Sequence, residues 1–159
     1  MSNAIIGDQG FGAAISARLD ELAAITDVPG EITRLYLGAA HRRAATLVEQ
    51  WMRDAGMSVR LSPLGDVIGR YDGETPGAPA LIVGSHIDSV RNAGRYDGNL
   101  GVVAGIEIVR RLHERGRRRP FAIEVTAFGD EEGVRFATAL AGSRAFAGLF
   151  DSNILDEVD

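Results

Sequence analysis

The chain has 159 residues, a formal net charge of −5, 45% hydrophobic and 25% charged residues, and neither cysteine nor lysine. This length suits one domain with a substantial core, and the composition is ordinary for a soluble globular protein. The missing residue types exclude disulfides, thiolate metal sites, cysteine nucleophiles, Schiff-base chemistry and a P-loop lysine.

The first half of the chain predicts two helices and a strand pair. Residues 1–12 are glycine-rich and weakly patterned, so we predict a flexible start. Apolar residues recur at three- and four-residue steps over 15–25 and 40–55, which predicts two amphipathic helices. Two short extended runs, Ser58–Leu61 and Val67–Tyr71, are separated by turn residues and predict paired strands.

The second half alternates strands with helices. The apolar runs 80–84 and 121–128 predict strands, and we expect the first to be buried on both faces. Helices are predicted at 100–112 and 142–149. This alternation predicts an α/β fold around a mostly parallel, mixed sheet. No run approaches the ~20 apolar residues of a membrane span and no signal peptide is recognisable, so we expect a cytoplasmic protein.

Polar residues cluster directly after the two most apolar strands. His86 and Asp88 follow the first strand, and Glu131 and Glu132 follow the second. Asp97 stands just before the helix between them. Each cluster alone is compatible with an ordinary turn or solvated loop. Because ligands bind at the carboxyl ends of strands in open α/β sheets, the three clusters together predict a site there.

The residue types at this edge suit metal-assisted hydrolysis. His86 and Asp88 are two residues apart in an extended segment, so the carboxylate can accept the second ring N–H of a metal-bound imidazole. Glu131 and Glu132 are adjacent and are expected to point in different directions. One can then bind metal while the other acts as a general base. Oxygen and nitrogen ligands without thiolate suit zinc, manganese, cobalt or nickel.

Other polar residues have simpler interpretations. We expect His41 and His113 at the surface, because His41 has no acidic neighbour in the sequence and His113 lies about 21 Å along its helix from the site. The arginine-rich run 115–119 is interpreted as a solvated helix end and not as a nucleic-acid site. Arg135 and Arg144 are candidates either for binding a substrate carboxylate or for bracing the loop.

Four motifs occur in order along the chain, and together they resemble a known family. They are GSHIDSV at 84–90, GRYDGNLG at 94–101, DEEGVRF at 130–136 and GSR at 142–144. They resemble the M20 metallohydrolases, within which the hydantoinase/carbamoylase branch is the nearest. That branch includes N-carbamoyl-L-amino acid hydrolases, allantoate amidohydrolases, ureidoglycolate hydrolases and β-ureidopropionases. The resemblance begins at about residue 19 and implies a three-layer α/β/α, zinc-exopeptidase-like catalytic domain.

The resemblance also implies a role for each clustered residue. His86 and Glu132 would each bind one of two divalent ions (Zn, Mn, Co or Ni), and Asp97 would bridge them. Asp88 would support His86. Glu131 would be the general base that takes a proton from a water between the metals. The substrate would be an N-carbamoyl amino acid, allantoate or a related ureido or amidine compound, with no nucleic-acid or membrane partner.

Members of this family are much longer than 159 residues. The resemblance therefore implies that 1–159 is the N-terminal segment of a discontinuous catalytic domain, without the lid and dimerisation domain of a homodimeric enzyme. It would supply three of five direct metal ligands, so we expect weak metal binding and little turnover. Two alternatives remain open: an M20 aminoacylase or dipeptidase, which the DEEGVRF motif disfavours, and a stable, non-catalytic fragment that acts as a binding piece.

Overall fold

The computed structural model describes residues 9–156. The helices are α1 (Gln9–Ala23), α2 (Ala39–Asp54), α3 (Asn99–Glu114) and α4 (Ala141–Phe146), with a short 3-10 helix at Ser152–Asp156. The strands are β1 (Ser58–Leu61), β2 (Val67–Tyr71), β3 (Ala80–His86) and β4 (Ala122–Phe128). Of the predicted flexible start, residues 1–8 lie outside the described part, and 9–12 are helical instead. Within the described part, no helix is both long and apolar enough to cross a membrane.

The four strands form one mixed sheet in the order β1-β2-β4-β3. The mixed α/β fold predicted from the alternating pattern is confirmed, although only one of the three described pairings is parallel. β1 pairs with β2 and β2 with β4 in antiparallel fashion, whereas β3 pairs with β4 in parallel. Because α3 returns the chain from the end of β3 to the start of β4, both strands end at the same edge.

The core lies between the sheet and the helices α1–α3. Gly105 of α3 packs so closely on the sheet that an added Cβ would lie 3.1 Å from methyl groups of both Val83 and Val125. On the opposite face, α4 covers the end of β4, where the rings of Phe146 and Phe128 meet edge-to-face at 5.6 Å. Helices therefore flank the sheet on both faces, and the second helical layer is short.

β3 is an edge strand of the described sheet, and the prediction that it is buried on both faces is wrong. Leu81 and Ile82 keep 53% and 50% of their surface exposed. An apolar parallel strand is buried on both faces only when helices cover both sides. Here α3 covers Val83, while the six-residue α4 leaves Ile82 half exposed.

The prediction that His41 lies at the surface is also wrong. This residue is 2% exposed, and its ring meets Tyr36 edge-to-face at 5.5 Å. Gly129, in the loop after β4, packs against both rings, because a Cβ added there would lie 2.6 Å from the Tyr36 ring and 3.5 Å from the His41 ring. These neighbours are distant in sequence or precede the helix, so helical periodicity gives no sign of them. His113 is exposed, as predicted.

Burial makes His41 an acid-sensitive position. Burial, helped by the charge of Arg34, lowers its pKa from 6.5 to about 4, although Asp88 and Asp27 act in the opposite direction. Its Nε2 has no hydrogen-bond partner among the described residues. Between pH 6.5 and about 4, the unfolded chain binds a proton at His41 and the folded chain does not. Protonation therefore favours unfolding.

We expect the free energy of unfolding to decrease as the pH falls from 6.5 toward 4, with this residue contributing up to about 1.4 kcal/mol per pH unit. His41→Leu should flatten that part of the profile, measured by urea denaturation across the window. His113→Leu is the matched control at an exposed histidine and should keep the slope. An unchanged slope in His41→Leu would contradict the assignment.

Candidate metal centre

The parallel pairing of β3 with β4 places the first and last predicted clusters side by side. His86 is in register with Phe128, so the two strands end together. The ladder continues one residue further, because the N–H of Ile87 donates to the carbonyl of Phe128 at 3.1 Å. The loops that carry Asp88 and Glu131 therefore leave the sheet as neighbours, and α3 begins at the same edge.

His86 has one ring nitrogen engaged and the other directed at carboxylates. Its Nδ1 donates to the backbone carbonyl of Asp88 at 3.0 Å. Its Nε2 lies 3.7 Å from Oε2 of Glu131 and 3.9 Å from Oδ1 of Asp97. Gly98 is required beside this ring, because it has φ +64° and an added Cβ would lie 2.5 Å from the imidazole.

Asp88 joins the two loops of the site. Its Oδ1 accepts the N–H of Glu131 and its Oδ2 accepts the N–H of Glu132, both at 3.2 Å. Its Oδ1 also lies 3.6 Å from Nδ1 of His86, on the side that the spacing predicted. Burial favours a raised pKa for this carboxyl, but the contact with His86 and the two N–H donors outweigh it and the pKa is lowered. Asp88 therefore stays ionised.

The two adjacent glutamates converge on one centre and do not diverge as expected. One ligand atom from each of His86, Glu131 and Glu132 lies within 4.8 Å of the others. Oε1 of Glu132 is buried without a hydrogen-bond partner among the described residues. Burial and then the charges of Asp97, Glu131 and Asp88 raise the pKa of Glu132, against the opposing effect of His86.

These features fit a divalent cation. An unpaired buried carboxylate oxygen is costly unless a cation or a donor meets it, and several carboxylates at short range repel one another. One imidazole nitrogen and carboxylate oxygens are suitable ligands for zinc or manganese. His86, Glu131 and Glu132 form the group that could hold such an ion. Asp97, which the resemblance adds as a ligand, lies 3.9 Å from Nε2 of His86. The role of each residue stays a prediction.

Two buried residues that organise the site were missed by the sequence reasoning. Asp66, which was interpreted as part of a turn, is 2% exposed and accepts the N–H of Gly129 at 3.0 Å, just before the glutamates. Arg34 is fully buried and donates to the carbonyl of Ile87 at 2.6 Å. Neither contact has a local sequence signal, because Gly129 and Ile87 lie more than fifty residues from the side chains that bind them.

The arginines that the sequence singled out have different surroundings. Arg135 donates to the carbonyl of Tyr36 at 2.9 Å and lies over the ring of Phe136, which agrees with the bracing interpretation. Arg144 is exposed in α4, and nothing tests its predicted contact with a substrate carboxylate. The arginine-rich run 115–119 is exposed, as expected of a solvated helix end, and Arg118 donates to the carbonyl of Asp72 at 2.7 Å.

Comparison with known proteins agrees with the resemblance. The family model described as Peptidase family M28 matches residues 66–157. Allantoate deiminase 2 of Glycine max is 43% identical over 147 residues, covering 90% of this chain and 30% of that protein. N-carbamoyl-L-amino acid amidohydrolase of Geobacillus stearothermophilus is 45% identical over 146 residues, covering 91% and 36%.

Among solved structures, a hydantoinase/carbamoylase family amidase from Burkholderia ambifaria superposes with a TM-score of 0.87 at 38% identity, covering 93% of this chain and 37% of that one. The chain thus spans about a third of the length of the relatives it matches. The likeness to the hydantoinase/carbamoylase amidases is confirmed. The matching family model is M28, so the M20 placement stays a prediction.

The charge of Asp88 should control the protonation of His86. Burial alone would lower the pKa of His86, but contacts with Asp88 and the charge of Glu131 raise it from 6.5 to about 9. Protonation of the ring therefore stabilises the metal-free fold below pH 6.5, and this contribution is lost as the pH rises toward 9. We expect Asp88→Asn to lower this pKa by at least about one unit.

The measurement is an NMR titration of the His86 ring in the presence of a chelator. Asp97→Asn is the matched control, since the Asp97 side chain is 56% exposed and its carboxylate lies further from the ring, 3.9 Å from Nε2 of His86. Its effect should be smaller. Equal effects of the two variants would contradict the role given to Asp88.

Proposed function

Since the chain belongs to Peptidase family M28, we propose that it forms the metal-binding part of a hydrolase that cleaves linear C–N bonds. The observation that carries the proposal is the convergence of His86, Glu131 and Glu132 within 4.8 Å at the carboxyl end of the parallel strands. The substrates proposed are N-carbamoyl amino acids, allantoate or related ureido and amidine compounds. The placement of these hydantoinase/carbamoylase amidases in the M20 group is part of this proposal.

Each residue of the site has a proposed task. His86 and Glu132 would each hold a divalent ion, and Asp97 would be a ligand shared by both. When bound, such ions supply Lewis-acid polarisation and neutralise developing negative charge. Oε2 of Glu131 takes a proton from the attacking water and can return it to the leaving nitrogen. With a ureido substrate R–NH–CO–NH₂, water adds to the carbonyl carbon, a C–N bond breaks and the resulting carbamic acid loses carbon dioxide, so that the products are the amine R–NH₂, ammonia and carbon dioxide.

The position and exposure of the glutamates support this division of tasks. The side chain of Glu131 is 42% exposed, so solvent and substrate can reach it. Glu132 instead has a buried Oε1 that meets no hydrogen-bond partner in the part of the chain between residues 9 and 156, which suits a ligand better than a proton carrier. Asp88 is 3% exposed and fully engaged, which suits a supporting role.

A peptide substrate is the second candidate, and the family match favours it because that family is named for peptidases. The names of the two relatives favour ureido compounds, since one is an allantoate deiminase and the other an N-carbamoyl-amino-acid amidohydrolase. For the whole protein, we further propose a cytoplasmic homodimer that acts on a small molecule and has no nucleic-acid or membrane partner. That proposal rests on the resemblance and on the net charge of −5.

The first test is metal binding by the 159-residue chain, because it does not require turnover. We expect Zn²⁺, Mn²⁺ or Co²⁺ to bind weakly, and we expect His86→Ala and Glu132→Ala each to lower the affinity at least about tenfold. Isothermal titration calorimetry measures both. His113→Ala and Glu114→Ala, which replace exposed residues of the same types at the far end of α3, are the matched controls and should bind like the wild type.

Unchanged affinity in both site variants would refute the ligand assignment. The substrate class is tested separately, by adding allantoate, an N-carbamoyl amino acid, an N-acyl amino acid and a dipeptide to the metal-loaded chain at high protein concentration and over long incubation, because little turnover is expected. Ammonia release from the first two supports the ureido proposal. Cleavage of the last two only would favour the peptidase alternative.

A further inference from the structure

Arg34 is a charged side chain with no solvent exposure, in the segment between α1 and α2. Its guanidinium donates four hydrogen bonds of 2.6–2.9 Å, to the carbonyls of Leu22, Ile25 and Ile87 and to Oδ1 of Asn99. Burying a cation is costly unless its donors are satisfied. The position of these four partners therefore indicates what the buried charge does.

Two of the partners belong to the segments that carry candidate metal ligands. Ile87 directly follows His86, and Nε of Arg34 holds its carbonyl at 2.6 Å. Asn99 is the first residue of α3, two residues after Asp97, and its Oδ1 accepts from Nη2 at 2.9 Å. One planar group thus connects the end of β3 to the start of α3.

The other contacts attach this connection to the core. Leu22 lies in the last turn of α1 and Ile25 lies two residues beyond its end, and Nη1 of Arg34 donates to both carbonyls. The backbone of Arg34 is paired as well, because its N–H donates to Oγ of Ser89 at 2.9 Å and its carbonyl accepts the N–H of Ser89 at 3.0 Å. The segment after β3 is therefore held at Ile87 and again at Ser89.

We propose that Arg34 is a positioning residue that fixes the spacing between the two ligand-bearing segments, so that His86 and Asp97 converge before a metal binds. Its hydrogen bonds go to the backbone and to Asn99, so it acts through the position of the ligands and not by touching the ion. Its positive charge also interacts favourably with the charges of Asp88, the carboxylate that joins the two loops, and Asp27. The inference rests on the proposed function.

Lysine cannot replace this group. Its ammonium has three donors on one atom, whereas the guanidinium presents five donors in a fixed plane and uses them in several directions. Arg34→Lys keeps the charge and loses the connection between segments. Loss of partners that orient metal ligands commonly lowers metal affinity 10–100-fold. We therefore expect Arg34→Lys to bind Co²⁺ at least about tenfold more weakly than the wild type.

The experiment compares the wild type, Arg34→Lys, Asn99→Ala and Arg18→Lys. Arg18 is the matched control, because it also makes a largely buried contact between α1 and α3, a 2.6 Å ion pair with Glu107, without touching the site segments. Each protein is titrated with Co²⁺ alone by calorimetry, and the visible spectrum of the bound Co²⁺ reports ligand geometry. Thermal unfolding without metal measures the purely structural cost of each change.

The inference predicts weaker Co²⁺ binding and an altered spectrum in Arg34→Lys and Asn99→Ala, with wild-type affinity and spectrum in Arg18→Lys. If all three variants lose thermal stability while Co²⁺ affinity stays within about twofold of the wild type, Arg34 is only structural and the inference is overturned. If Arg34→Lys does not fold, Asn99→Ala decides by the same readouts. A wild type that binds no Co²⁺ refutes the proposed function first, and this inference with it.

Discussion

The candidate site depends on the parallel pairing of β3 with β4. Parallel strands end at the same edge of a sheet, and here the ladder extends past the end of β3 through the N–H of Ile87. Two loops more than forty residues apart in sequence are thereby placed next to each other, with α3 beginning at the same edge. Shifting this register by one residue would turn His86 to the opposite face of the sheet, away from Glu131.

Side chains then connect what the strands bring together. Asp88 accepts the N–H groups of both Glu131 and Glu132, so a residue of the first loop fixes the backbone of the second. Asp66 fixes the same loop from β2 through Gly129. These contacts explain why the two adjacent glutamates converge. Their two N–H groups both bind the carboxylate of Asp88, so the backbone between them bends and is not extended.

The sequence predicts what is encoded locally and fails where distant contacts decide. Strand and helix positions follow from apolar periodicity, and His86 and Asp88 follow from their position after a strand. The exposure of β3 depends on which elements lie beside it, and the apolar residue type of Leu81 does not indicate that the strand lies at an edge. The burial of His41 depends on Gly129 and Tyr36, which no helical pattern reveals. The polar clusters of the two strand ends nevertheless meet at one edge, because the parallel pairing of β3 with β4 ends both strands together, and His86, Glu131 and Glu132 form one group there.

Negative charge is concentrated at this site, and the repulsion between its carboxylates opposes their close approach. Four carboxylates surround one imidazole, and the raised pKa of Glu132 reflects their mutual repulsion together with burial. Repulsion of this kind would separate flexible loops, so the ligands can stay close only if other groups hold their backbones. The N–H groups at Asp88 and the buried Arg34 supply that restraint without occupying the ligand atoms. The fold itself therefore maintains the charge cluster, and a cation would gain affinity because the repulsion it relieves is already present in the folded protein.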